Sequence, residues 1–198
     1  VLDPKEGENI LDCCSAPGGK TTYIAEIMNN NGNIIAWDLY KHRLNKVQEN
    51  SKRLGINIIK TKENDATILK EEYIEKFDRI LIDAPCLGLG VMKRKPDIKW
   101  QRKFEDIEEI SKIQEKILNT CSKYLRKDGI LVYSTCSIIE EENHKIIQKF
   151  IKNNNYELVN IDNIKLNKIN NKIEEKGIIK LYPNEKTDGF FISKLRKK

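Results

Sequence analysis

Short apolar runs alternate with longer amphipathic stretches along this chain of 198 residues. Asn9 to Cys13, Asn33 to Trp37, Asn57 to Thr61, Phe77 to Ile82 and Gly129 to Ser134 have the length and β-branched content of buried strands. Helical spacing fills the intervals. It predicts helices over Gly19–Met28, Lys41–Leu54 (apolar at Leu44, Val47 and Leu54), Glu105–Leu125 and Glu140–Asn153. In the third of these, Ile107, Ile110, Ile113, Ile117, Cys121 and Tyr124 are expected on one apolar face. Asn29-Asn30-Asn31-Gly32 and Gly55 end the first two helices, as Asn and Gly do at helix C-termini. Two more strands are expected near Glu157–Ile161 and Gly189–Lys194, the latter with its pairing direction open, and Asn163 to Lys176 reads as a low-order connection. Alternation of strand and helix predicts an α/β fold: a mostly parallel sheet of seven strands with helices on both faces.

Parallel strands deliver their C-terminal residues to one edge, where open α/β sheets bind ligands. Three polar segments sit at such ends. Ile10-Leu11 opens into Asp12-Cys13-Cys14-Ser15-Ala16-Pro17-Gly18-Gly19-Lys20-Thr21, Ile80-Leu81-Ile82 into Asp83-Ala84-Pro85-Cys86, and Leu131-Val132-Tyr133 into Ser134-Thr135-Cys136-Ser137. Gly18-Gly19 lets backbone approach a ligand, and the helix behind it begins with unpaired N–H groups. Cys14 stands where a phosphate loop needs its first glycine, which counts against that reading. Asp38, ending the second strand, can accept from the ribose hydroxyls of an adenosine. Asp65, after the third, is placed either for the adenine amino group or for a turn. A glycine turn with two acids and no triphosphate cradle describes the pocket of S-adenosylmethionine.

The thiols supply the second half of the chemistry. A thiolate adding to carbon 6 of a pyrimidine makes carbon 5 nucleophilic enough to take a methyl group from a sulfonium. Cys86 and Cys136 both qualify, and spacing does not decide between them. Thiolate character calls for an electropositive or hydrogen-bonded setting, which Lys20 and the basic loop after Cys86 are expected to provide. Asp83 is expected to hold the ring. Cys13 and Cys121 read as small buried hydrophobes.

Bulk properties narrow the class further. The formal charge is +6, and Lys93-Arg94-Lys95, Lys99-Trp100-Gln101-Arg102-Lys103 and Lys194-Leu195-Arg196-Lys197-Lys198 are clusters that counterion release from a phosphate backbone would reward. Trp100 is the candidate for stacking on a base. The loop from Ala84 to Phe104 is long enough to be functional. No apolar stretch approaches a membrane span and no signal-peptide pattern opens the chain. Five cysteines without zinc spacing and two isolated histidines, His42 and His144, give no metal site; free thiols indicate a reducing cytoplasm.

These motifs, in this order, resemble the signature of RNA cytosine-5 methyltransferases of the Nop2/Sun family, in its bacterial small-subunit ribosomal RNA branch. Arg94-Lys95-Pro96-Asp97-Ile98-Lys99-Trp100 and Asp188-Gly189-Phe190-Phe191 echo that branch. The resemblance implies a Rossmann-like class I S-adenosylmethionine-dependent methyltransferase. Cys136 would be its nucleophile and Cys86 would help release product, with Asp83 and Lys20 beside them. Cys14, Ser15, Ala16, Pro17, Gly18, Gly19, Lys20, Asp38, Asp65 and Asp83 would bind the cofactor. It further implies a ribosomal RNA substrate and a NusB-like N-terminal RNA-binding domain, which is expected to be absent from this chain. A single catalytic domain, monomeric and cytoplasmic, is therefore expected. Cys14-Ser15 stands for a more usual Cys-Ala, and Leu87-Gly88-Leu89-Gly90 replaces a Ser- or Thr-containing turn. The competing readings are a non-catalytic RNA-binding scaffold and a P-loop-like nucleotide hydrolase.

Overall fold

Nine strands form one sheet in the order β3-β2-β1-β4-β5-β9-β8-β7, with β6 also paired to β9, in a computed structural model that describes residues 1–161 and 172–198. The first five strands are β1 (Asn9–Asp12), β2 (Asn33–Asp38), β3 (Ile59–Glu63), β4 (Phe77–Asp83) and β5 (Leu125–Thr135), and they run parallel. Then β6 (Tyr156–Leu158), β7 (Lys172–Glu175), β8 (Ile178–Leu181) and β9 (Phe190–Lys197) pair antiparallel. The helices are α1 (Gly19–Ile27), α2 (Lys41–Arg53), α3 (Ile98–Gln101), α4 (Glu105–Cys121) and α5 (His144–Asn153).

Period-two alternation sorts the strand residues onto two buried faces, as a sheet covered on both sides requires. Ile10, Leu81 and Val132 face a layer made by Ile24 and Ala25 of α1 and Met28 at its C-cap. Leu11, Ile80, Ile82, Leu131 and Tyr133 face Ile117, Leu118 and Cys121 of α4 and Ile146, Ile147 and Phe150 of α5. Trp37 packs edge-on against Tyr73 and Tyr124, with ring centroids 5.2 and 5.5 Å apart.

Three expectations need correction. The Asn163–Lys176 connection lies partly outside the described residues, and its end, Lys172–Glu175, is β7 of a hairpin with β8, two strands beyond the seven expected. The helix expected over Glu140–Asn153 is broken at Asn143, where φ −124° and ψ −99° separate a 3-10 turn (Glu140–Glu142) from α5. On α4, Ile113 is exposed while Gln114 is fully buried, because Gln114 has polar partners inside. Among the described residues no helix is long and apolar enough to cross a membrane.

The last strand closes the sheet against the functional edge. The Gly189 N–H donates to the Gly90 carbonyl (2.8 Å), and the Gly90 N–H donates to the Cys136 carbonyl (2.9 Å). A Cβ on Gly90 would lie 2.3 Å from the Gly189 oxygen and 2.8 Å from the Cys136 oxygen, both backbone atoms. Gly90→Ala should therefore destabilise the protein by about 1–3 kcal/mol, as overpacking does, measured by the urea midpoint. A side chain at Gly19 meets nothing within 4 Å, so Gly19→Ala should unfold at the wild-type midpoint or above it.

Candidate active site

The parallel register aligns Asp83 of β4 with Ser134 of β5, and Asp12 of β1 with Leu81. All three polar segments singled out in the sequence thus emerge at one edge. Beyond Asp83 and Ser134 the two chains continue in step, with the Ala84 N–H donating to the Ser134 carbonyl at 2.9 Å. Cys86 and Cys136 follow at once, and their sulfurs lie 2.8 Å apart, both side chains half-buried.

The two thiols are electrostatically unequal. The Cys86 thiol is pushed up, first by its hydrogen bond to Cys136 and then by burial, while the same hydrogen bond draws Cys136 down. Either sulfur can donate in this contact, and the opposed shifts favour the proton on Cys86 and the acceptor role on Cys136. The sequence expectation that Lys20 supplies this stabilisation is not met. Its ammonium is paired with Asp83 (2.7 Å) and lies 5.5 Å from the Phe190 ring centre. The other Asp83 oxygen accepts from the Ser134 hydroxyl at 2.7 Å.

Beside this pair lies a cleft of about 280 Å³ lined by Asp12, Cys14, Ser15, Ala16, Pro17, Gly19, Lys20 and Asp83. The turn that forms it is braced from behind. Gly18 (φ +104°) caps α1 in the left-handed region, and a Cβ there would lie 3.0 Å from the Val47 Cα of α2. The Asp38 carboxylate accepts from the N–H groups of Ala16 (3.3 Å) and Tyr40 (3.2 Å) and from Arg43 (3.2 Å). The Arg43 guanidinium and the Asn50 amide donate to the carbonyls of Ala16 and Pro17. Asp38 therefore fixes the turn, and neither it nor Asp65 lines this cleft. Asp65 accepts from both the N–H and the hydroxyl of Thr67, at 2.8 and 2.7 Å, which is the turn role weighed from sequence.

Asp12 was not among the site residues expected from sequence. It is buried, accepts from the Thr21 hydroxyl at 2.7 Å, and its other oxygen, like the Ser15 hydroxyl, has no hydrogen-bond partner. Orphaned buried polar atoms on a cleft wall are the mark of a site shaped for a polar ligand. Burial pushes the Asp12 carboxyl up to about 7, with the charge of Asp83 adding to the rise against the Thr21 bond. Cys13, by contrast, is in the core with Cys121, and burial raises its thiol.

Sequence reading also missed the polar frame behind the two thiols. Glu142 and Asn143 are fully buried. One Glu142 oxygen accepts from the Leu87 N–H (3.0 Å) and the Gln114 amide (2.8 Å), and the other from the Ser137 hydroxyl (2.5 Å). Gln114 also donates to the Pro85 carbonyl (2.8 Å). Asn143 accepts from the Thr135 hydroxyl (2.5 Å) and donates to the Ser137 carbonyl (3.0 Å). The only legible signal was a Gln where helical spacing calls for an apolar residue.

The fold and the cleft define a methyltransferase of the Rossmann-like class I type. The comparisons are specific about its kin. The crystal structure of NSun6 from Pyrococcus horikoshii with SFG is 40% identical, with a TM-score of 0.87 over 99% of this chain and 49% of that one. A methyltransferase homolog protein from the same organism is 35% identical, with a TM-score of 0.83 over 100% of this chain and 64% of that one. The probable ribosomal RNA small subunit methyltransferase B of Bacillus subtilis is 41% identical over 208 residues, covering all of this chain and 45% of that protein. The profile of the 16S rRNA methyltransferase RsmB/F family matches residues 1–196, and the chain belongs to that family. It spans about half the length of the curated relatives it matches.

The buried acid makes a pH test available. An unfolded chain releases the Asp12 proton near 3.8, the folded one only near 7. The stability it contributes is therefore complete below about 3.8 and is lost as pH rises through about 7. In the ligand-free protein, Asp12→Asn should raise Tm relative to wild type more at pH 8 than at pH 5, followed by circular dichroism.

Proposed function

We propose that this domain transfers the methyl group of S-adenosylmethionine to carbon 5 of a cytidine in small-subunit ribosomal RNA, through a covalent adduct with Cys136. The observation that carries the reading is the contact between the two sulfurs beside a cleft with orphaned polar atoms. The names of the curated relatives, small-subunit ribosomal RNA methyltransferases, support the substrate.

The cleft residues fit the cofactor. Asp12 and Ser15 offer unpartnered oxygens to an amino-acid moiety, and Gly19 leaves open space over the start of α1. The backbone from Cys14 to Lys20 would line it. A carboxylate has about four acceptor sites, so Asp38, with three bonds, keeps one for a ribose hydroxyl, and Asp65 lies further along the same edge. When bound, the cofactor supplies an electrophilic methyl group on a sulfonium.

Cys136, as thiolate, adds to carbon 6 of the pyrimidine and places electron density on carbon 5. Once carbon 5 carries the new methyl, its proton must leave and the carbon–sulfur bond must break, returning the electron pair to Cys136. Cys86, 2.8 Å away, is placed to assist that elimination. Asp83 and Lys20 stand at the cleft rim to orient the ring. The base has to be unpaired or extruded, since a thiol does not reach carbon 6 inside a stack.

The RNA grip is assigned to the loop after Cys86. Trp100 and Phe104 are 82% and 84% exposed, so neither anchors the loop; Ile98, buried and packed on Gly88, does. Lys93, Arg94, Lys95, Lys99, Arg102 and Lys103 flank them in sequence, and the Lys99 ammonium lies 5.4 Å from the Trp100 ring centre. Aromatic faces amid cations are what single-stranded RNA selects.

Methyl transfer from labelled cofactor to ribosomal RNA tests the chemistry. Cys136→Ser should give no product, and Cys86→Ser should accumulate a protein–RNA adduct that survives denaturation. An adduct on Cys136→Ser but not on Cys86→Ser would reverse the two roles, and turnover by both variants would sink the mechanism. Loss of one stacking contact is worth about 1–3 kcal/mol. Trp100→Ala should accordingly raise the KM for RNA roughly 5- to 150-fold and leave cofactor affinity unchanged by calorimetry.

A further inference from the structure

Four residues flank the two thiols in sequence: Pro85 and Leu87 around Cys86, and Thr135 and Ser137 around Cys136. Each of the four is held by the buried trio Gln114, Glu142 and Asn143. Only Glu142 reaches both sides with one functional group. One of its oxygens takes the Leu87 N–H and the other takes the Ser137 hydroxyl. Gln114 steadies that carboxylate, and the Tyr133 hydroxyl donates to the Glu142 carbonyl at 2.7 Å.

A fully buried carboxylate is costly unless it is hydrogen-bonded throughout, and here it has three donors. Such a group is a poor choice for stability alone, since an apolar residue fills the same volume at less cost. What it offers is geometry, because three directed bonds fix a position that apolar packing leaves loose. The β4–β5 register brings the two loops opposite one another, and directed bonds to the segments just beyond the sulfurs fix their final separation.

We propose that Glu142 is the positioning residue of the thiol pair, its carboxylate bridging the segment after Cys86 to the segment after Cys136 and so keeping the two sulfurs together. This rests on the two-thiol reading of the site, but part of its test does not depend on RNA chemistry. A monosubstituted arsenoxide condenses with two thiols that are in contact: two As–S bonds form, the As–O bond breaks, and the oxygen leaves as water with both thiol protons. Peptide mapping identifies which cysteines are bridged.

Wild type should be bridged across Cys86 and Cys136. Glu142→Gln keeps the volume but presents one acceptor in place of two, and should be bridged about tenfold more slowly. Its kcat for methyl transfer should fall by about tenfold or more, with cofactor Kd and RNA KM unchanged. Ser137→Ala, which removes one hydroxyl and is expected to fold, should show the same pattern to a smaller degree. Restoring the hydroxyl with Ser137→Thr should recover bridging. Wild-type bridging rates in folded Glu142→Gln or in Ser137→Ala would overturn the proposal, as would a loss of cofactor binding in step with the loss of bridging. If wild type is bridged but transfers no methyl group, the proposed function fails while the positioning role stands.

Discussion

The catalytic edge depends on one constraint, the parallel register of β4 against β5. Pairing Asp83 with Ser134 carries both chains past the end of the sheet in step, so that Cys86 and Cys136 arrive opposite one another. A slip of one residue would turn every side chain of one strand to the other face. Ile80 and Ile82 pack in one buried layer and Leu81 in the other, so such a slip would misfit both layers. The packing of the core thus helps set the separation of two sulfurs that belong to no core.

Charge then differentiates what register has brought together. The hydrogen bond the two sulfurs share raises the Cys86 thiol and lowers the Cys136 thiol. Lys20, the nearest cation by sequence reasoning, is held by Asp83 at the cleft rim instead. Carboxylates around the edge have distinct duties: Asp38 braces the glycine turn, Asp12 stands half-unpartnered in the cleft, and Glu142 lies behind the thiols. The site is therefore arranged by acids as much as by thiols.

Much of this was legible in the sequence because it rests on local pattern. The strand ends at Asp12, Asp38 and Asp83, the glycine turn and both thiols all follow apolar runs whose length and period identify them. What escaped depends on partners distant in the chain. Glu142 belongs to a run of three glutamates before an asparagine, which reads as a solvated helix start; its burial is decided by Leu87 and Gln114. Gln114 displaces Ile113 from the inner face of α4 for the same reason. Ile178–Leu181 is a strand because β9 offers it an edge, and Lys172–Glu175 because β8 in turn offers one; nothing within those segments announces it.

The contact of Gly90 with both Gly189 and Cys136 has a bearing on how the protein is made. Ribosomes release a chain from its N-terminus, and the thiol segments leave the exit tunnel well before the closing strand does. Until residues 189–197 emerge, the Gly90 carbonyl lacks its Gly189 donor and β5 has no partner on its outer edge. A nascent chain can thus shape the glycine turn early, whereas the surroundings of Cys136 wait for residues 189–197 to pair with β5 and to meet Gly90.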